Sequence, residues 1–285
     1  MFSVIQLSIA AIGCVILQQP FQTCIPYALE PTVPVKVAAR AIPKKTGPAI
    51  DVALTAQAAL VWDLNTDTVL YEKEANTKRP VASLNKLISA LAVRELLPNS
   101  NAVVVIPPEA RKAQLQGANV KLPIGNHVSV RQLLEASLVP SANDAMVSLA
   151  VAGSGSESEF VTYANTLAAR KGLFDTKLAN ATGLQGGEQY STAHDVMKML
   201  SLAYGDPLLK PFLSTQKGSL TTVEGQKREY ISTDELLGTY LPILAAKTGF
   251  TLAAKENLAI ITVGPKGQKI GAVILGSDNR FTDMK

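Results

Sequence analysis

The chain has 285 residues, 47% of them hydrophobic and 18% charged, which is too apolar for a disordered protein and long enough for one large domain or two sharing a core. Lys plus Arg exceed Asp plus Glu by only four and form no long run, which argues against a nucleic-acid binder. Two histidines (His127, His194) and two cysteines (Cys14, Cys24) give little support to a His-rich metal site or a His-paired nucleophile, and exclude cysteine-based zinc sites and disulfides from the body.

The chain opens with a targeting pattern. No charge precedes Glu30, and Val4–Leu17 is an apolar run of the length of a signal-peptide core, short for a membrane span. Residues 1–28 are therefore expected to be a signal peptide or N-terminal anchor, with membrane attachment through it left open. Prolines 26, 31, 34, 43 and 48 then suggest an extended tether over 29–51, leaving a body at 52–285.

The body begins with two short β-type runs, Ala58–Asp63 and Thr68–Lys73, around a turn at 64–67. A helix is expected from Ser83, with Leu84, Leu87, Ile88 and Leu91 on one face. Others follow at Val130–Leu138 and Ala142–Ala152. A capping box of Ser156 and Glu159 opens a fourth, closed by Gly172; Ser191 or Thr192 caps a fifth, closed by Gly205 and Pro207. Strands are expected at Leu244–Thr251, Asn257–Val263 and Lys269–Leu275. With strands at both ends and helices between, the expected fold is of the α+β type: one antiparallel sheet with packed helices and an inserted helical lobe, and a ligand cleft between them.

Three short motifs carry chemistry. Ser83 and Lys86, three apart on the most apolar helix, share a face. A serine hydroxyl needs a base to become a nucleophile, and a buried lysine whose ammonium form is disfavoured can be that base. Ser141 and Asn143 sit between two helices, where one can relay a proton and the other can hold a carbonyl. Lys247, Thr248 and Gly249 lie on a strand; lysine and threonine can bind a carboxylate, and glycine lets a substrate backbone come close. Strict alternation puts Lys247 and Thr248 on opposite faces, so a twist or strand-end effect is expected. Similar triplets at Ser214–Lys217, at 277–279 and at 45–47 lack the matching context and are set aside.

In order and in context, Ser83-x-x-Lys86, Ser141-x-Asn143 and Lys247-Thr248-Gly249 form the catalytic set of penicillin-binding proteins and serine β-lactamases. With ASLNK at 82–86, SANDA at 141–145, YSTA at 190–193 and KTGFT at 247–251, the chain from about 55 onward resembles the D-alanyl-D-alanine carboxypeptidases, the low-molecular-mass penicillin-binding proteins. The resemblance implies a β-lactamase/transpeptidase-like fold, with Ser83 as acyl-ester nucleophile, Lys86 as base and Ser141 as proton relay. Asn143, Lys247, Thr248, Gly249 and Phe250 would hold the substrate, the N–H groups of Ser83 and Phe250 forming the oxyanion hole. It further implies a peptidoglycan stem peptide as substrate, β-lactams as covalent inhibitors, no metal or organic cofactor and an exported protein of the cell envelope, either the periplasm or the outer face of the membrane. No C-terminal β-domain is expected, and oligomeric state is left open. Two other readings compete: a serine β-lactamase, which the absence of an E-x-x-L-N glutamate disfavours, and a non-catalytic wall-binding or β-lactam-sensing domain, which the intact serine and lysine disfavour.

Overall fold

Alternation at the start of the body builds a hairpin. A computed structural model of the chain describes Pro43 and residues 52–285. In it, β1 (Ala58–Asp63) and β2 (Thr68–Lys73) pair antiparallel. Asp63 shapes the turn by accepting hydrogen bonds from the N–H groups of Asn65 (2.9 Å) and Thr66 (3.2 Å). The expected segments at 1–28 and 29–51 and the triplet at 45–47 lie outside the described residues, Pro43 excepted.

A helical lobe follows. It begins with a 3-10 turn, Ala82–Asn85, which leads into α1 (Lys86–Leu96). Next come β3 (Val103–Val105), α2 (Ala110–Gln114), β4 (His127–Ser129), α3 (Val130–Leu138), α4 (Asn143–Ser154), α5 (Glu157–Arg170) and α6 (Ala193–Gly205). The anticipated stops and starts hold: Ser156 accepts from Glu159 N, Gly172 lies at φ 73°, and Thr192 rather than Ser191 caps α6 through Asp195 N. α1 and α4 are buried on nearly every side, as central helices of a core are.

The chain then returns to strands. β5 (Lys217–Thr221) and β6 (Lys227–Ile231) form a separate hairpin; β7 (Ile243–Thr251), β8 (Lys255–Val263) and β9 (Lys269–Ser277) complete the main sheet, and α7 (Arg280–Met284) packs on it. The sheet order is β2-β1-β9-β8-β7, antiparallel throughout, so the two ends of the body meet where β1 pairs with β9. One face packs on the helices: Leu60, Ala245, Ala259, Ile261 and Val273 join the large core. The other carries a smaller cluster of Leu236, Ala246, Leu258 and Ile260, with Phe281 against it. The expected architecture is present. The sequence reading missed the hairpins β3–β4 and β5–β6, short pairs with an exposed side and little alternation to betray them, and the five-residue helices α2 and α7. All described residues lie in one unit, 40–285.

Candidate active site

Strand β7 is an edge strand, so one side of its backbone is left for something other than the sheet. That side faces the 3-10 turn carrying Ser83. A methyl group at Gly249 would come within 2.7 Å of the Val81 carbonyl oxygen and 3.2 Å of Ser83 N, so only glycine lets the strand lie this close. Gly183, at φ 78°, presses on the same turn from the other direction: a Cβ there would stand 2.0 Å from the Ala82 carbonyl oxygen. Held between these two glycines, Ala82 takes a left-handed φ of 50° and Ser83 sits on a 3-10 turn rather than on an α-helix. This corrects the expected helix start; α1 begins at Lys86. The i, i+3 relation survives, because side chains three apart eclipse in a 3-10 turn.

Lys86 is fully buried. Its Nζ lies 2.8 Å from Ser83 Oγ, 2.6 Å from Asn143 Oδ1 and 3.0 Å from the Thr182 carbonyl oxygen. Burial is the main cause that holds its amine well below the usual lysine range; the Lys247 cation pushes the same way and Asp144 opposes. A neutral amine has two hydrogens and one lone pair. With Asn143 and Thr182 accepting the hydrogens, the lone pair turns to Ser83, the orientation a general base requires.

Ser141 and Asn143 enter the crevice differently from the expected extended turn. Ser141 adopts a left-handed φ of 64°, while Asn143 is the first residue of α4. Asn143 is fixed by its own N–H to Ala118 O and by Nδ2 to Gln116 O, both 2.8 Å. Lys247 Nζ donates to Ser141 Oγ at 2.8 Å and to Thr248 O at 3.1 Å. Lys247 is brought down to about 7, first by burial and then by the Arg280 cation, with Asp234 opposing. Lys247 meets Ser141 on the helical side; Thr248 bonds Thr233 through their hydroxyls, and Thr233 N–H donates to the carbonyl of Val139, two residues before Ser141 (3.3 Å). Lys247 and Thr248 are both buried. Phe250 is half exposed at the strand's outer end. The discarded triplets stay apart: Lys217 is exposed on β5, Asp278 pairs with Lys255, and Asn279 caps α7.

Three supporting residues escaped the sequence reading. Asp144, with no exposed surface, accepts from the backbone N–H of Val120 (3.2 Å), Leu122 (2.9 Å) and Ala145 (3.1 Å) and from Gln114 Nε2 (3.3 Å). It pins the 114–122 segment to the start of α4, and a lone carboxylate in an apolar helix was the available signal. Arg280 reaches the Gly249 carbonyl with Nη1 at 3.5 Å. Asp234 is buried near Lys247, and burial raises its carboxyl. Among the described residues no cluster of three metal-ligating side chains occurs.

The D-alanyl-D-alanine carboxypeptidase family model matches residues 44–279. The chain belongs to this family. It is 30% identical over 210 residues to D-alanyl-D-alanine carboxypeptidase DacF of Bacillus subtilis, covering 73% of this chain and 54% of that one, so it spans about half that relative's length. It is 29% identical over 246 residues to a D-alanyl-D-alanine endopeptidase of Pseudomonas aeruginosa, covering 84% and 77%. The crystal structure of the Streptomyces K15 DD-transpeptidase superposes with a TM-score of 0.76 at 28% identity, covering 83% of this chain and 96% of that one. The fold is thus that of the serine D,D-peptidases, as the sequence led one to expect.

Proposed function

We propose that the protein is a serine D,D-peptidase that forms an acyl-enzyme on Ser83 with stem peptides of the cell-wall polymer. The observation that carries this is the fully buried Lys86 amine, 2.8 Å from Ser83 Oγ, whose other two partners are uncharged oxygens. Lys86 takes the hydroxyl proton as Oγ attacks the carbonyl carbon of the penultimate D-alanine. The N–H groups of Ser83 and Phe250 stabilise the oxyanion; losing such a donor costs about 10²–10³ in rate. Lys86 hands that proton on through Ser141, bonded to Lys247, to the departing amine, the C–N bond breaks and an ester remains. Water then attacks the ester while the again neutral Lys86 takes its proton; that proton passes to Ser83 Oγ as the ester bond breaks, and the shortened peptide leaves. Asn143 holds the substrate amide, and Lys247 and Thr248 hold the terminal carboxylate. A β-lactam enters the same first step and stays as a slowly released ester. The domain boundaries read from the sequence, an export role for residues 1–28 and an envelope location belong to the same reading.

Mass spectrometry after benzylpenicillin treatment tests it. One adduct is expected on the peptide containing Ser83, absent in Ser83→Ala, and D-alanine should be released from muropeptides by the unmodified chain only. An adduct on another residue overturns the assignment. Cross-linked dimers as a second substrate separate endopeptidase from carboxypeptidase action.

A further inference from the structure

The segment after α2 forms one lip of the crevice. A Cβ on Gly117 would lie 3.2 Å from Asn143 Nδ2, and two residues back Leu115 is 79% exposed. Two residues of chain span at most about 7 Å. Beyond this lip lies a recess of about 400 Å³ whose ionisable lining is Arg111, Lys121 and Arg228, with Gln114, Leu115 and Gln226 among its neutral neighbours. The start of α2 sorts charge: Glu109, just before the helix, and Lys112 border a different cavity, shared with Glu157, while Arg111 lines this one. Among the described residues none of the three cations joins an ion pair. Arg228 is nonetheless held in place, donating Nε to Lys121 O (3.1 Å) and Nη1 to Lys227 O (2.9 Å), with Nη2 left over. The floor is tied to the catalytic lobe by Gln114, whose Nε2 donates to Leu122 O (2.6 Å) and to Asp144 Oδ2.

Three unneutralised cations around a recess beside a substrate crevice form a carboxylate-binding surface. We infer that this recess holds carboxylates of a second stem peptide of the wall polymer while the first occupies the crevice, so that the enzyme grips the polymer as well as the scissile end. The inference rests on the peptidase reading for the identity of the polymer. A guanidinium fixed on one edge loses little freedom when its other edge meets a carboxylate. The attraction between exposed groups is screened by salt, so the grip is strong at low ionic strength and weak near 1 M, where the screening length falls to about 3 Å.

The experiment compares the full chain with R111E/R228E and the milder R111Q/R228Q. Three quantities are read: retention on purified sacculi at about 50 mM and about 1 M salt, turnover of a short soluble D-Ala-D-Ala peptide, and the benzylpenicillin acylation rate. Retention should fall at least about 5-fold at low salt for the reversed pair, less for the neutral pair, and converge with wild type at high salt. Turnover of the short peptide and acylation should stay within about 2-fold. Unchanged retention, or an equal fall in short-peptide turnover, overturns the inference. So does loss of retention on sacculi stripped of phosphate polymers, since the anion would then be phosphate. A wild-type chain that is retained but never acylated would instead sink the peptidase reading and leave the cationic grip standing.

Discussion

Replacing Gly249 by alanine tests the packing that brings β7 to Ser83. Gly249 has no positive φ, so the substitution costs little in backbone conformation; its cost is steric. The added methyl would stand 2.7 Å from the Val81 carbonyl oxygen and 3.2 Å from Ser83 N. A carbon rests about 3.3–3.6 Å from a carbonyl oxygen, so strand and turn must part by about 0.6 Å or more. Both contacts are backbone, so no side chain can swing aside. The crevice widens between Ser83 and Lys247-Thr248, where the substrate must be gripped. A displacement near 1 Å costs about 10² in rate, so acylation should slow about 10–100-fold, or about 1.4–2.7 kcal/mol in the barrier. Overpacking of this kind also destabilises by about 1–3 kcal/mol. Stopped-flow acylation by a fluorescent penicillin, with thermal melting alongside, separates the two. Acylation within about 3-fold of wild type, with the fold intact, would refute the claim that this contact sets the geometry.

Three further outcomes follow from the buried charges. On the proposed reading the substrate carboxylate is held by Lys247 as a cation, and its amine is brought to about 7. kcat/KM for a peptide with a free C-terminus should therefore fall as pH rises through that region, while a C-terminal amide analogue should not show this fall; identical profiles would exclude Lys247 as the carboxylate holder. The same shift has a stability counterpart: between about 7 and 10.5 the unfolded chain binds a proton at Lys247 that the native state does not, so its contribution to stability rises with pH over that window, measurable by denaturant titration. Asp144→Asn removes a buried anion that accepts four hydrogen bonds. It should destabilise by about 2–4 kcal/mol. It should also shift the acid limb of acylation to lower pH, because Asp144 raises the Lys86 amine; a shift to higher pH would reverse that assignment.

Much of this was legible in the sequence because it is local. The hairpin at Ala58–Lys73, the capping serine at 156 and the apolar faces of the helices declare themselves within a few residues. The three motifs were set apart from their look-alikes by context: Ser214–Lys217 opens no apolar helix, and the triplet at 277–279, though it ends the apolar β9, precedes no helical lobe. What stayed hidden is set by contacts between distant segments. The segment from Ser83 reads as the start of a helix, yet Ala82–Asn85 is a 3-10 turn with Gly183 and Gly249 packed closely against it. Ser141 gives no hint of its left-handed backbone, because serine is not a residue that seeks it. Arg280 lies 33 positions beyond Lys247 and belongs to no pattern, yet the fold returns it to the Gly249 carbonyl.

The pairing of β1 with β9 joins Ala58 to Leu275, across more than two hundred residues. β1 can pair with β2 early, but its other edge waits for β9, so the five-stranded sheet cannot close before Leu275 has been made. Such distant closure slows folding. β9 enters between the first two strands and the two that precede it, so a single late strand joins both halves of the sheet.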